Sequence, residues 1–175
     1  MPASPGAASL HDPRCHIPAR GKGESVNEPA LLDLRDKVRQ AEVIMRDHGI
    51  PVEIPAVHHF ANKGTKRGIY AREIRIPAGT LLTGKIHKYE QVNILSYGEI
   101  EVLTERGVVL ARAPFTIVSP PGTKRIAYAH TDCVWTTIHA TDETELDRIE
   151  AEFIAQSEAD YLDFVRLLPE AVCPG

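Results

Sequence analysis

The 175-residue sequence lacks any long apolar run and any excess of positive charge. No apolar stretch approaches the roughly 20 residues that a membrane-spanning helix requires, so no membrane partner is expected. Lys and Arg number 20 against 24 Asp and Glu, for a formal net charge of −4, which argues against bulk electrostatic attraction to nucleic acid. With 43% apolar and 25% charged residues, the composition is that of a soluble globular protein with one ordinary core.

Cysteine is also scarce, and the common catalytic signatures are missing. Cys15, Cys133 and Cys173 stand far apart, without a C-x-x-C pair, which favours reduced thiols in a cytoplasmic protein over a disulfide framework or a zinc site. The sequence contains no G-x-S-x-G, H-E-x-x-H or G-x-G-x-x-G. Since these motifs mark common nucleophile, metalloprotease and dinucleotide sites, their absence favours a binding or structural role over catalysis.

Short strands dominate what is present between residues 69 and 139. Apolar and polar residues alternate there, and turn signals such as Pro120-Pro121-Gly122 divide the alternating runs. The predicted strands are 69–76, 81–87, 91–96, 100–104, 108–111, 115–118, 124–129 and 134–139. About eight short strands with tight turns predict a mainly β sandwich or barrel, which we assign to residues 50–140.

A tail and several helices flank this β region. Residues 1–26 are rich in Pro, Gly, Ala and Ser and predict a disordered tail, either plain or a targeting segment. A helix is predicted over 27–49, with Asn27 as its N-cap and Gly49 at its end. Its apolar stripe predicts packing either on the barrel or on a second copy in a homo-oligomer. Two further helices are predicted within residues 141–175.

The stretch from Gly79 to Gly98 carries most of the candidate site residues. Read as strands, Lys85 and His87 share one face with Thr83, and Gln91 and Asn93 share one face of the following strand. Alternation alone leaves open whether this polar face meets solvent or an interior pocket.

This stretch resembles the first motif of the cupin superfamily, G-x5-H-x-H-x3-E-x6-G. Lys85 and His87 occupy the two His positions and Gln91 occupies the Glu position, between Gly79 and Gly98. The resemblance implies a cupin-like jelly-roll barrel, so the expected fold is mainly β with flanking N- and C-terminal helices.

The second cupin motif, G-x5-P-x-G-x2-H-x3-N, resembles the stretch 114–129. Pro120 and Gly122 match the motif, whereas Arg125 stands at the His position. Pro114 replaces the first Gly, and Ala129 replaces the Asn. The turn-forming residues are therefore kept better than the metal ligands.

The cupin resemblance raises the question of a metal, which that family holds with imidazoles and a carboxylate. The aligned set here is Lys85, His87, Gln91 and Arg125, and its two cations would repel a divalent ion. No metal cofactor is therefore expected. A metal, if bound, would use His87, Gln91 and His139.

A cationic pocket is the alternative that the same positions suggest. If Lys85, His87 and Arg125 face inward with the amides of Gln91 and Asn93, they form a ligand-binding site for a carboxylate or phosphate. The competing interpretation places the two cations on solvated faces or in ion pairs.

A short internal similarity adds a second possible anion site. GTKRGIYA at 64–71 and GTKRIAYA at 122–129 agree at six of eight positions. The agreement indicates either a duplicated half-barrel or coincidence, and each loop resembles a half-formed anion-binding turn.

The overall pattern, including GTLLTGKIHK and WTTIHATDETELD, is similar to small cupin-like proteins of tailed phages and prophages. This likeness implies a non-catalytic virion-associated or accessory structural protein, located in the host cytoplasm or the virion. Its expected partners are itself, other virion proteins and a small anion. The alternative is a divergent metal-dependent cupin enzyme that acts on a small acid or sugar.

Overall fold

The computed structural model describes residues 28–63, 67–104 and 107–168, so the predicted tail and its junction at Asn27 lie outside the described residues. The elements, in chain order, are α1 (Glu28–His48), β1 (Ala56–Ala61), β2 (Ile69–Ile76), β3 (Leu81–Thr83), β4 (Ile86–His87), β5 (Gln91–Tyr97), β6 (Glu99–Thr104), β7 (Gly107–Arg112), β8 (Phe115–Ser119), β9 (Ile126–Ala129), β10 (Cys133–Ala140), α2 (Leu146–Phe153), β11 (Ile154–Ala155) and α3 (Glu158–Leu167). The prediction of a mainly β protein with flanking helices is confirmed.

Three antiparallel sheets make up the β region. The largest has the order β1-β2-β10-β5-β8, the second has the order β3-β9-β6-β7, and a small one pairs β11 with β4. Neighbouring strands are often distant in sequence, as with β2 and β10 or β5 and β8, so the chain crosses repeatedly from sheet to sheet. This order is that of a jelly roll, so the expected jelly-roll architecture is confirmed, as two facing sheets.

The main core fills one end of the space between the two larger sheets. Three of its buried side chains come from the first sheet and three from the second: Ile76, Leu95 and Cys133, and Ile100, Ala111 and Ala129. Full burial of one large aliphatic side chain stabilises a fold by about 1.5–3 kcal/mol. A second cluster of Tyr70, Ile149 and Phe153 attaches α2 to the other end of the first sheet.

The predicted strand 81–87 is wrong in one respect, because it is two strands in different sheets. β3 pairs with β9, and β4 pairs with β11. Between them the Gly84 amide donates to the Arg125 carbonyl at 2.9 Å, and the two-residue period is interrupted. The Thr83 hydroxyl donates to the Glu42 carboxylate of α1 at 2.7 Å, and both Thr83 and His87 line the space between the sheets.

The first strand, β1, is not among the strands predicted from the sequence, which begin at residue 69. It pairs along its whole length with β2 at the edge of the large sheet. Its sequence, AVHHFA, gives little alternation to identify it, because two polar residues stand side by side.

The terminal helices pack on the barrel. In α1, Val38 is buried, and Glu42 accepts hydrogen bonds from Thr83 and Lys124 of the barrel. Arg39 of α1 forms an ion pair with Glu158 of α3, so the N- and C-terminal helices contact each other. These polar contacts attach α1 to the barrel, and packing of its apolar stripe on a second copy stays a prediction. Within the described ranges, no helix is both long and apolar enough to cross a membrane.

Candidate functional site

A cavity of about 600 Å³ lies between the two larger sheets, next to the main core. Its wall is apolar at the core end and polar at the end that α2 covers. The apolar part includes Ile74, Ile76, Leu82, Ile100 and Val102. The polar part collects every site residue that the two sequence motifs predicted except Lys85, which lies at the cavity mouth.

Strand register explains this division, because residues paired across a sheet project on the same side. One inward row carries His58, Arg72, Thr137 and Asn93, on β1, β2, β10 and β5 in turn. A neighbouring row on the α2 side contains the pairs Tyr70–His139 and Gln91–Ser119. On the opposite side the corresponding row contains Ile74, Trp135 and Leu95. On each strand, a shift of two residues therefore leads from the polar wall of the cavity to the apolar wall.

Asn93 is the centre of the hydrogen-bond network in the polar wall. Its Nδ2 donates to Ser119 Oγ at 2.9 Å. Its Oδ1 accepts from Thr137 Oγ1 at 2.8 Å and from Trp135 Nε1 at 3.2 Å. These partners fix the orientation of the amide, because the oxygen faces two donors. A buried network with its members satisfied is rigid, so this wall is preorganised.

Arg125 is attached to the same network through Ser119. Its Nη1 donates to Ser119 Oγ at 2.9 Å, and Ser119 is almost completely buried. A hydroxyl has two acceptor lone pairs and one donor. Because Asn93 and Arg125 use both lone pairs, the Ser119 proton points away from them. Arg125 lies before β9, on the second sheet, and thus joins the facing walls of the cavity.

His87 and His139 form a stacked pair with ring centroids 5.1 Å apart. The His139 ring also stacks on Phe153 of α2, at 4.3 Å between centroids. Burial lowers the pKa of His139 to about 4. Burial also lowers the pKa of His87 to about 4, with smaller contributions from His139, Arg72 and Lys85. Both imidazoles are therefore neutral near pH 7.

Among the imidazole and amide side chains of this wall, three buried polar atoms lack a hydrogen-bond partner among the described residues. They are His87 Nδ1, His139 Nδ1 and Gln91 Oε1. Buried polar groups are normally bonded, and an unpaired one costs about 1–3 kcal/mol. Since the three residues line the cavity, a ligand or ordered water is the expected partner.

The charged residues of the wall are distributed unevenly. Arg72, Lys85 and Arg125 face two acids, Asp147 and Glu150, so the lining has one more cation than acids. Lys85 and Glu150 form an ion pair with both side chains about half exposed, and hydrogen bonding to Lys85 lowers the pKa of Glu150. Lys85 and Arg125 therefore do not form one cationic pocket. Lys85 forms an ion pair with Glu150 at the cavity mouth, and the Arg125 guanidinium binds Ser119 inside the cavity.

The histidines at 58 and 59 lie on opposite sides of β1, as adjacent residues of a strand must. His58 lines the cavity and its Nδ1 lies 2.7 Å from Tyr70 Oη. His59 lies outside, 4.0 Å from Glu73. His130 lies at the surface, with its Nε2 3.1 Å from the Glu101 carboxylate.

Sequence reasoning missed Arg72, Ser119 and Thr137. A signal was present for Arg72, because Tyr70, Arg72, Ile74 and Ile76 alternate along one strand and all line the cavity. In the second GTKR loop the Lys124 ammonium donates to Glu42 and to the Gly84 carbonyl, whereas Arg125 of the same loop lines the cavity. The first loop, 64–66, lies outside the described residues.

The cavity residues do not fit the metal that the fold family implies. Of the four motif positions, Lys85 binds Glu150 and Arg125 binds Ser119. His87, His139 and Gln91 remain, without an anionic ligand, and Arg72 is close enough to lower the pKa of His87. No group of three His, Cys, Asp or Glu within the described ranges could hold a metal ion.

Comparison with known proteins identifies solved structures whose fold is similar to that of this chain. No family model and no curated protein matches the sequence. A cupin domain from Bordetella pertussis has 18% identity and a TM-score of 0.36, over 52% of this chain and 99% of that one. The EutQ protein of Clostridium difficile has 14% identity and a TM-score of 0.39, over 52% and 70%. A cupin-2 domain protein from Shewanella frigidimarina has 11% identity and a TM-score of 0.38, over 61% and 98%.

At such identities and TM-scores these neighbours carry no argument about ligand or activity. The assignment rests on the strand order and on the two motif stretches, which meet in one cavity. The strand order is that of a jelly roll, and the likeness to cupins stays a resemblance of the two motif stretches.

Proposed function

We propose that this protein binds a small anionic ligand, a carboxylate, in the cavity of its cupin-like barrel. The observation that carries the proposal is the Arg125 guanidinium, anchored by Ser119 in a cavity lined by more cations than acids. A guanidinium stays charged at any pH that the protein tolerates.

The neighbouring groups suit an anion. Hydrogen bonds between a guanidinium and a carboxylate are about twice as strong as neutral ones. The Ser119 proton and a neutral imidazole N–H of His87 or His139 add donors that need no counter-charge. These groups lie in a buried wall, where low local dielectric strengthens each hydrogen bond. The volume of about 600 Å³ also lies within the usual range for small-molecule sites, about 300–1,000 Å³.

The same wall favours binding over chemistry. A general base needs a pKa near the working pH and a group that orients it. His87 and His139 have pKa values near 4, and neither ring hydrogen-bonds a carboxylate among the described residues. The proposed protein is therefore a binder, and the rival prediction of a metal-dependent enzyme has no suitable donor set in this cavity.

Thermal unfolding of the full chain with acetate, lactate or inorganic phosphate tests the proposal. A ligand that binds only the folded state raises the melting temperature with its concentration, so lactate and acetate should each raise it. Arg125→Gln should abolish the increase. The matched control is Arg112→Gln, because Arg112 lies on the outside of β7 in a surface ion pair with Glu99.

Two results would contradict the proposal. One is a wild-type melting temperature that no anion changes at millimolar concentration. The other is an increase that Arg125→Gln retains while its circular dichroism spectrum matches the wild type. The virion-associated role, the homo-oligomer and the cytoplasmic or virion location suggested by the sequence stay predictions.

A further inference from the structure

We infer that the preferred ligand is a short hydroxydicarboxylate that bridges two guanidinium groups, Arg125 at one end of the polar wall and Arg72 at the other. The inference rests on the proposed function, because it names the ligand class of the same cavity. It assigns a binding role to Arg72, which neither sequence motif contains.

Arg72 is a partly buried cation that the protein leaves without a direct partner. It lies on the inner face of β2, in the row with His58, Thr137 and Asn93. Among the described residues its side chain makes no hydrogen bond or ion pair. A guanidinium is always charged, and removing it from water without a counter-ion is unfavourable. An anion in the cavity would supply that counter-ion.

The acids near Arg72 do not replace such an anion. The positive charge of Arg72 contributes to the lowered pKa of Glu150. Its carboxylate, however, hydrogen-bonds Lys85 at the exposed mouth. Asp147, the other acid of the lining, is exposed on the first turn of α2. The two guanidinium groups therefore face the cavity from within, and the two acids lie on its cover.

Strand positions place the two cations on opposite sides of the polar wall. Arg72 is on β2, and Ser119, which holds Arg125, is on β8, with β10 and β5 between them. Three strand steps at about 4.8 Å each separate the two backbones by about 14 Å. Both arginines line the cavity, so a ligand with one carboxylate at each end of a short chain suits the space between them.

The middle of the wall determines what lies between the two carboxylates. His139 on β10 and Gln91 on β5 stand between the two ends, and His87 stacks on His139. The atoms without partners are an amide oxygen, which accepts, and two imidazole nitrogens of neutral rings. A ligand hydroxyl can donate to Gln91 Oε1 and accept from an imidazole N–H. A plain alkyl chain would leave all three atoms unsatisfied.

Titration calorimetry of the full chain with malate, succinate and lactate separates these features. Malate has two carboxylates and a hydroxyl, succinate lacks the hydroxyl, and lactate lacks the second carboxylate. We expect malate to bind at least tenfold tighter than lactate and several-fold tighter than succinate. Arg72→Gln should reduce malate affinity to the level of lactate and leave lactate affinity unchanged.

Two further variants control for folding and for charge. Arg75→Gln removes an exposed arginine of the same strand, on the outer face beside Glu73, and should change neither affinity. Arg72→Lys keeps the charge and should retain part of the malate preference. Each variant is compared with the wild type by thermal unfolding, so a folding defect is seen directly.

The outcomes also distinguish this inference from the proposed function. Lactate binding that depends on Arg125, with malate no tighter than lactate, would overturn the bridging ligand and leave the anion site intact. An equal loss of lactate and malate affinity in Arg72→Gln would also overturn it. If none of the three acids binds the wild type, the proposed function fails as well.

Discussion

The two ends of the inner barrel face are made by the same strands but differ in chemistry. Ile74, Trp135 and Leu95 form the apolar row, and two residues further along the same strands lie Arg72, Thr137 and Asn93. The second sheet closes over the first row with Ile100 and its neighbours, whereas the polar row borders the cavity that α2 covers. The fold thus separates a stabilising end from the proposed binding end, and mutations at the two ends should have separable effects.

The largest effect on stability is expected at the apolar end. Leu95 has no exposed surface, so Leu95→Ala removes a packed side chain and leaves a cavity, at a cost of about 2–5 kcal/mol in the free energy of unfolding. Urea unfolding measures this loss. Val118→Ala on the neighbouring strand is the control, because Val118 is 52% exposed and its truncation should cost far less. Equal losses would show that the row is not part of the main core.

Acid should weaken the polar end, with a loss of a few kcal/mol. His87 and His139 have folded pKa values near 4, below their ordinary value of 6.5. Between these two values the unfolded chain binds more protons than the folded one. The contribution of the two neutral imidazoles to the free energy of unfolding is therefore fully present above about pH 6.5, and it is lost as the pH falls toward 4.

A comparison of variants assigns this loss to the imidazoles. Paired carboxylates such as Glu42 and Glu150 also have lowered pKa values and contribute in acid. The double variant His87→Gln, His139→Gln should therefore flatten the decline between pH 6.5 and 4 without removing it. His130→Gln at the exposed pair with Glu101 should leave the decline unchanged. An unaltered pH profile in the double variant would contradict the neutral, buried pair.

Removal of the Asn93 amide should cost about 1–3 kcal/mol and impair anion binding. Asn93→Ala leaves the donors of Thr137 and Trp135 without their acceptor and releases Ser119 from one of its two donors. Chemical unfolding and calorimetry with lactate measure the two effects. Ser96→Ala, on the same strand but exposed, is the matched control. Anion affinity that survives Asn93→Ala would show that Arg125 does not need this network.

The smallest effect is expected at the cavity mouth. Lys85 and Glu150 are both about half exposed, and exposed ion pairs contribute about 0–1 kcal/mol. Lys85→Gln should therefore change the unfolding free energy by less than about 1 kcal/mol and retain lactate binding. Arg125→Gln provides the contrast within the same cavity. A loss of binding in Lys85→Gln as large as in Arg125→Gln would return Lys85 to the site that its motif position suggests.

Much of the fold was predictable because alternation reports burial directly. Gln91 and Asn93 alternate against Val92 and Ile94, and the first two residues are buried on the inner face. Trp135, Thr137 and His139 alternate in the same way and line the cavity. The helices were also predictable, since apolar spacing along a helix is local.

What could not be predicted depends on partners that are distant in sequence. The break between β3 and β4 occurs because the chain changes its pairing partner from β9 to β11, which no local pattern reports. Lys85 is held at the cavity mouth by an ion pair with Glu150, which lies 65 residues further along the chain. Arg72 becomes a site residue only because β10 lies between β2 and β5.

The pairing of β4 with β11 also sets the order in which the protein can be completed during synthesis. His87 is held opposite Ile154, and the next amide, that of Lys88, donates to the Phe153 carbonyl at 2.8 Å. The ribosome delivers the chain from the N-terminus at about 5–20 residues per second, so α2 and β11 emerge after every other strand of the barrel. The two facing sheets can pair first, whereas the wall that contains His87 stays unfinished until residues 153–155 leave the exit tunnel. A nascent chain stalled before β11 should therefore fold its apolar end and bind no ligand.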